Sequence, residues 1–212
     1  MIIINFKNYV SGKKALDLSR KIKKYLPRAI VCSSSSDISL ISSKTRMKVY
    51  AQHVDFQDLG KSTGYEIPED LKKAGASGSL LNHTEHPVGI KSIEKTLRRS
   101  KGKLRIIVCV KNLGETKKVL KMRIKPWAIA YEDPKLISSG KSITKYNSKS
   151  VLEFSALFKR SKVIPLCGAG ISSVEDILES KKLGCKGVLV SSAIAKNKNP
   201  SALLSKMKRM MK

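Results

Sequence analysis

The chain has 212 residues and is 41% hydrophobic, enough for one domain, residues 1–212, with a sizeable core. No apolar run reaches membrane-span length, and Ile2-Ile3-Ile4 after Met1 is too short for a secretory leader, so a cytoplasmic protein with no membrane partner is expected. The net charge of +27 runs along the whole chain and favours anionic partners, but no zinc-finger spacing, RNP motif or aromatic–basic interleaving accompanies it, so no specific nucleic-acid partner is expected.

In chain order, Ile2-Ile3-Ile4-Asn5 reads as a first strand, and Ala15, Leu18, Ile22 and Leu26 recur near helical spacing, so a helix follows over 12–25. Residues 29–32 form a second strand, 37–42 a short helix and 47–51 a third strand. A longer loop over 52–67 carries Gly60 and Gly64. Pro68 suits a first helical turn and starts a helix over 68–74. The fourth strand is 78–81, followed by a basic helix over 87–100. A fifth strand over 104–110, a helix over 113–122 and a sixth strand over 127–130 come next. Residues 148–158 are helical, 163–166 form the seventh strand, and Ser172 or Ser173 caps a helix with Glu175 and Asp176 in its first turn. The eighth strand is 187–190, and a basic amphipathic helix over 200–211 closes the chain.

Strict alternation of eight strands and eight helical segments implies a parallel sheet with right-handed crossovers. Eight units fit a closed (β/α)8 barrel better than an open doubly wound sheet, and no G-x-G-x-x-G follows the first strand. The four cysteines, Cys32, Cys109, Cys167 and Cys185, lie far apart without CxxC spacing. They read as small buried hydrophobes rather than disulfides or a zinc site.

In a barrel, the reacting groups come from strand C-terminal ends. The sixth strand delivers Glu132 at its end; Pro134 then stops regular structure, and Ser138-Ser139-Gly140 is small and permissive. A rigid strand presenting an acid beneath a hinged flap suits a catalytic base under a lid. The first strand ends in Asn5-Phe6-Lys7 and the fourth in Asn82-His83-Thr84-Glu85. Cys167-Gly168-Ala169-Gly170-Ile171 and Ser191-Ser192-Ala193 end the last two strands. The first three ends supply a cation, an imidazole and a carboxylate, and the last two supply small residues whose backbone N–H groups approach an anion closely. Together they describe proton abstraction beside a carbonyl in a phosphorylated small molecule.

Six stretches carry a family resemblance. They are Ile4-Asn5-Phe6-Lys7, Ala51-Gln52-His53-Val54-Asp55, Leu80-Leu81-Asn82-His83-Thr84-Glu85, Tyr131-Glu132 through Gly140, Cys167-Gly168-Ala169-Gly170-Ile171-Ser172 and Gly187-Val188-Leu189-Val190-Ser191-Ser192. In that order, the sequence resembles the triosephosphate isomerases in their short archaeal form. The resemblance implies a (β/α)8 TIM barrel with shortened helices and loops. It also implies interconversion of D-glyceraldehyde 3-phosphate and dihydroxyacetone phosphate, a phosphorylated triose substrate, through an enediolate. By position, Asn5 and Lys7 would contact substrate, His83 would be the electrophile and Glu132 the base. Ile137 would lie in the lid, and Gly170, Ser191 and Ser192 would offer amides to the phosphate. Glu85 is read as supporting Lys7 or His83, or as part of the next helix's first turn. A helix N-terminus starting near Pro87 would disfavour a positive charge on His83. Neither cofactor nor metal is expected, because the chemistry needs no redox or metal step. The family is oligomeric, and loop 52–67 corresponds to its interdigitating contact, so a homo-oligomer, dimer or tetramer, is implied.

Ser138-Ser139 replace the family's usual Gly-Thr, and Asp133 directly follows the base. The alternatives are another phosphate-binding barrel isomerase or epimerase, or a basic nucleic-acid-binding protein on a barrel scaffold.

Overall fold

The computed structural model describes residues 1–134, 136 and 142–210. Eight strands alternate with helices: β1 (Ile2–Asn5), α1 (Gly12–Tyr25), β2 (Ile30–Ser33), α2 (Ser35–Thr45), β3 (Lys48–Ala51), α3 (Pro68–Lys73), β4 (Ala76–Leu81), α4 (Ile90–Ser100) and β5 (Arg105–Val110). They continue with α5 (Leu113–Lys121), β6 (Ala128–Tyr131), α6 (Ile143–Tyr146), α7 (Ser148–Ala156), β7 (Ile164–Cys167), α8 (Val174–Lys182), β8 (Gly187–Val190), α9 (Ser192–Ala195) and α10 (Pro200–Met210). Every neighbouring strand pair is parallel, and β8 pairs back to β1 through Ile3 opposite Leu189. The sheet is thus a closed (β/α)8 barrel with no free edge.

The strands read as unbroken apolar runs because both faces are buried. Alternate residues serve different cores. Ile3, Cys32, Tyr50, Leu80, Ile107, Cys109, Ala130, Leu166 and Leu189 fill the barrel interior. Ile2, Ile4, Val31, Val49, Leu81, Val108, Ile129 and Val188 pack outward against the helices. Tyr50 fits inside only because β4 carries Gly78; a Cβ there would lie 2.5 Å from the tyrosine ring and 2.2 Å from the Arg105 carbonyl oxygen. On the helices, one stripe faces the barrel. In α4 it is Ile93, Thr96, Leu97 and Ser100. Burying Ile93 and Leu97 contributes about 1.5–3 kcal/mol each. All four cysteines are free and buried, as their apolar surroundings predict.

Several boundaries differ from the sequence reading by one to three residues, and three differences bear on the site. The helix expected from 87 starts at Ile90, because Asn82 takes a left-handed conformation (φ 61°) and its Oδ1 accepts the Val88 N–H at 2.9 Å. That holds 82–89 in turns. The helix expected over 148–158 is preceded by α6, with Asn147 breaking the run at φ −143°. The Asn147 side-chain amide donates to Asp133 Oδ2 at 3.2 Å. Finally, β8 leads into α9, an extra turn not read from the sequence. Among the described residues, helical segments therefore outnumber the eight expected. No helix is long and apolar enough to cross a membrane among the described residues.

Candidate active site

The strand ends converge on one pocket at the C-terminal mouth of the barrel. Asn5, Lys7, His83, Glu132, Ala169, Gly170, Ile171, Ser172, Leu189, Ser191 and Ser192 line it. Of the residues expected there, Asn5, Lys7, His83, Glu132, Gly170, Ser191 and Ser192 come together, while Ile137 lies outside the described residues, as does the stretch Ser138-Ser139-Gly140.

Lys7 follows β1 with φ 46°, unusual for a residue with a Cβ. Two side chains hold it there. Asn5 Oδ1 accepts the Lys7 backbone N–H at 2.9 Å, and Gln52 Nε2 donates to the Lys7 carbonyl at 2.9 Å. The Lys7 ammonium donates to Glu85 Oε1 at 2.7 Å across 78 residues of sequence. Its side chain is 9% exposed and Glu85 is 55% exposed, so the pair sits at the rim of the mouth. Glu85 therefore pairs with Lys7, its Oε2 lies 3.8 Å from His83 Nδ1, and it is not part of the next helix's first turn.

His83 is buried beyond β4. Asn82 Nδ2 donates to the Cys109 carbonyl at 2.8 Å, tying this turn to β5. The backbone N–H of Glu85 donates to His83 Nδ1 at 3.2 Å. With Nδ1 as the acceptor, Nε2 is the ring nitrogen that faces the pocket as a donor. The helix that follows, α4, starts at Ile90 rather than near Pro87. Nε2 lies 3.7 Å from Glu132 Oε1, beyond hydrogen-bond distance, so donor and carboxylate sit side by side on one wall of the pocket.

Glu132 follows β6, and its backbone N–H donates to the Val110 carbonyl at 2.9 Å. The residue is 4% exposed, and Oε2 has no hydrogen-bond partner among the described residues. Its methylenes rest on Gly168, where an added Cβ would come within 2.7 Å of Cγ. Cys109 lies behind it inside the barrel. Burial first, then the neighbouring Glu132 carboxylate, pushes that thiol well above its ordinary range, so Cys109 is an inert wall. Asp133 turns the other way, accepting from Asn147.

The far wall is backbone. Ala169 (φ 73°) and Gly170 (φ 68°) are both left-handed, which curls the chain after β7 into a concave loop. Ser191 and the start of α9 close the other side. These two turns suit an anion, and Lys7 and His83 suit a carbonyl oxygen that gains negative charge. Across the mouth, His53 and His86 stack at 4.0 Å between ring centroids, with His53 Nε2 3.1 Å from Asp55 Oδ1. They line the adjoining cleft with His83, so all three histidines of the chain gather at this end. Among the described residues, no group of three or more His, Cys, Asp or Glu side chains is arranged to hold a metal ion.

Reading the sequence missed the roles of Gln52, Asn82 and Gly168. All three fall inside the motif stretches, and polar or Gly residues at strand ends were the available signal.

The family model described as triosephosphate isomerase matches residues 1–207. The triosephosphate isomerase of Saccharolobus solfataricus is 36% identical over 212 residues, covering 96% of this chain and 92% of that protein. The protein of the same name from Methanosarcina mazei is 34% identical over 221 residues, covering 99% and 98%. A crystal structure of triosephosphate isomerase from Bartonella henselae superposes with a TM-score of 0.71 at 21% identity, over 97% of this chain and 98% of that one, a likeness of fold.

Proposed function

We propose, for a chain that belongs to the triosephosphate isomerase family, that the site interconverts D-glyceraldehyde 3-phosphate and dihydroxyacetone phosphate with Glu132 as base and His83 as electrophile. Glu132 takes a proton from the carbon beside the substrate carbonyl, and the electron pair of that C–H bond forms the enediolate C=C bond. The carbonyl oxygen gains the negative charge. His83 Nε2–H donates to that oxygen, and the Lys7 ammonium stabilises it electrostatically. The former carbonyl oxygen takes the Nε2 proton of His83, which regains a proton from the neighbouring hydroxyl. Glu132 returns its proton to the former carbonyl carbon as that neighbouring oxygen forms the new C=O bond, so there is no net proton change. Asn5 holds Lys7 in its strained backbone conformation and borders the substrate. The amides of Gly170, Ser191 and Ser192 take the phosphate, and Ile137 belongs to the lid that covers the substrate.

One observation carries this reading: a partnerless buried Oε2 on a carboxylate whose Oε1 is 3.7 Å from a donor nitrogen. Family membership also weighs against the epimerase and nucleic-acid readings. The chain acts as one barrel domain over 1–212 in the cytoplasm, as a homo-oligomer, dimer or tetramer, that packs through loop 52–67. Exposed Leu59 and Tyr65 on that loop support this packing.

The test is Glu132→Gln, which keeps the shape and removes the proton acceptor. The expected loss in kcat is about 10²–10⁴-fold, the usual contribution of a general base, with an unchanged melting temperature. Near-parent turnover by a pure preparation overturns the assignment.

A further inference from the structure

Asp176, in the first turn of α8, is only 2% exposed. Its Oδ2 accepts the Ser172 N–H at 3.0 Å, the Ser172 hydroxyl at 3.2 Å and the Ser173 N–H at 3.0 Å. The Ser173 hydroxyl in turn accepts the Asp176 N–H at 3.2 Å, which completes a capping box. A capping box needs only the two contacts with Ser173. The two bonds from Ser172 are additional, and Ser172 lines the active pocket directly after the left-handed Ala169-Gly170 turn and Ile171. The same turn is gripped from its other side, where the Ile143 N–H at the start of α6 donates to the Ala169 carbonyl at 3.3 Å. Asp176 faces that side too. Its Oδ1 is buried without a hydrogen-bond partner among the described residues and lies 4.0 Å from the Lys145 ammonium of α6. Burial pushes the Asp176 carboxyl up, but the hydrogen bonds from Ser172 and Ser173 outweigh it and hold the group below its ordinary range. The group is a carboxylate at neutral pH.

We propose that Asp176 is a positioning residue for substrate phosphate: its buried carboxylate fixes the backbone of 170–172 in the shape that presents amides to the anion. The inference rests on the phosphate-loop role given to Gly170 above. It runs against simple electrostatics, and that makes it testable. A carboxylate beside an anion site repels a dianion, so if charge alone mattered, its removal would tighten phosphate binding. If it positions the loop, removal weakens binding.

The experiment titrates 2-phosphoglycolate into the parent, Asp176→Asn, Asp176→Glu and Ser173→Ala, with melting temperature and steady-state kinetics for each. Asp176→Asn is expected to weaken the inhibitor and raise KM about tenfold, the scale of one charge-assisted hydrogen bond, with kcat changed less. Asp176→Glu keeps the usual capping-box pairing, and so the fold, but moves the carboxylate away from Ser172; it is expected to weaken the inhibitor at near-parent melting temperature. Ser173→Ala removes the cap hydroxyl, lowers the melting temperature and leaves the inhibitor affinity unchanged. Unchanged or tighter binding in a folded Asp176 variant overturns the inference, and so does equal weakening in Ser173→Ala, which would make the effect one of helix stability. A parent that does not bind 2-phosphoglycolate removes the phosphate-loop reading itself and this inference with it. A binding parent with unaffected variants removes only the inference.

Discussion

Gly168→Ala should cripple the enzyme without touching any reacting group. Gly168 is not in the left-handed region, so alanine can adopt its backbone conformation and the only obstacle is space. The new methyl would sit 2.7 Å from Glu132 Cγ, 3.0 Å from Oε1 and 3.2 Å from Cδ. Carbon atoms in favourable contact lie about 3.5–4.0 Å apart, so the overlap is about 1 Å. Glu132 cannot retreat, because Cys109 and the β5–β6 pairing stand behind it. The carboxylate must therefore shift by about that amount within the pocket. A misplacement of about 1 Å costs on the order of 10²-fold in rate, roughly 2.7 kcal/mol of barrier. Overpacking adds about 1–3 kcal/mol of lost stability. The assay is coupled steady-state turnover at saturating substrate, with a thermal melt to separate displacement from unfolding. A folded Gly168→Ala enzyme with kcat within about threefold of the parent would refute the claim that this glycine sets the position of the base.

Two further outcomes follow from other contacts. His83→Ala should lower kcat more than it raises KM, because the Nε2 proton matters most as charge develops on the substrate oxygen; steady-state kinetics showing a change in KM alone would make His83 a binding residue. Acid stability should depend on Glu69. Arg99 donates to it through both terminal nitrogens, at 2.6 and 2.9 Å, and Lys103 adds an ion pair at 3.2 Å. The arginine hydrogen bonds hold the carboxyl down at about 2, below its ordinary 4.5. A carboxyl lowered in the folded state contributes stability that is present above the ordinary value and lost as pH falls toward the lowered one. Chemical denaturation from pH 6 to pH 2.5 should therefore show the parent's advantage over Glu69→Gln shrinking below about pH 4.5; a constant gap would mean the pair adds nothing.

Much of this molecule was present in local pattern. The apolar runs and the helical stripe of α1 are periodicities of the chain itself, and both cores bear them out. The barrel followed from counting units, because eight parallel strands with short crossovers close more readily than they spread. Asn5, Lys7, His83 and Glu132 were legible because a strand's C-terminal end is a sequence position once the strand is known. Helix starts were less legible: Pro87 suggested one, but a left-handed Asn82 and its bond to Val88 delay α4 to Ile90. Only tertiary structure decided the rest. Lys7 meets Glu85 because β1 and β4 open onto one mouth, and Glu132 rests on Gly168 because β6 and β7 are paired in register. His83 Nδ1 accepts one backbone N–H, from Glu85, and the conformation of Lys7 depends on a side chain from β3's end. Each of these contacts joins groups whose separation depends on strand register, barrel closure and backbone torsions summed over many residues. Residue type and spacing report the energetics of neighbours along the chain, whereas those sums become definite only when the sheet closes on itself.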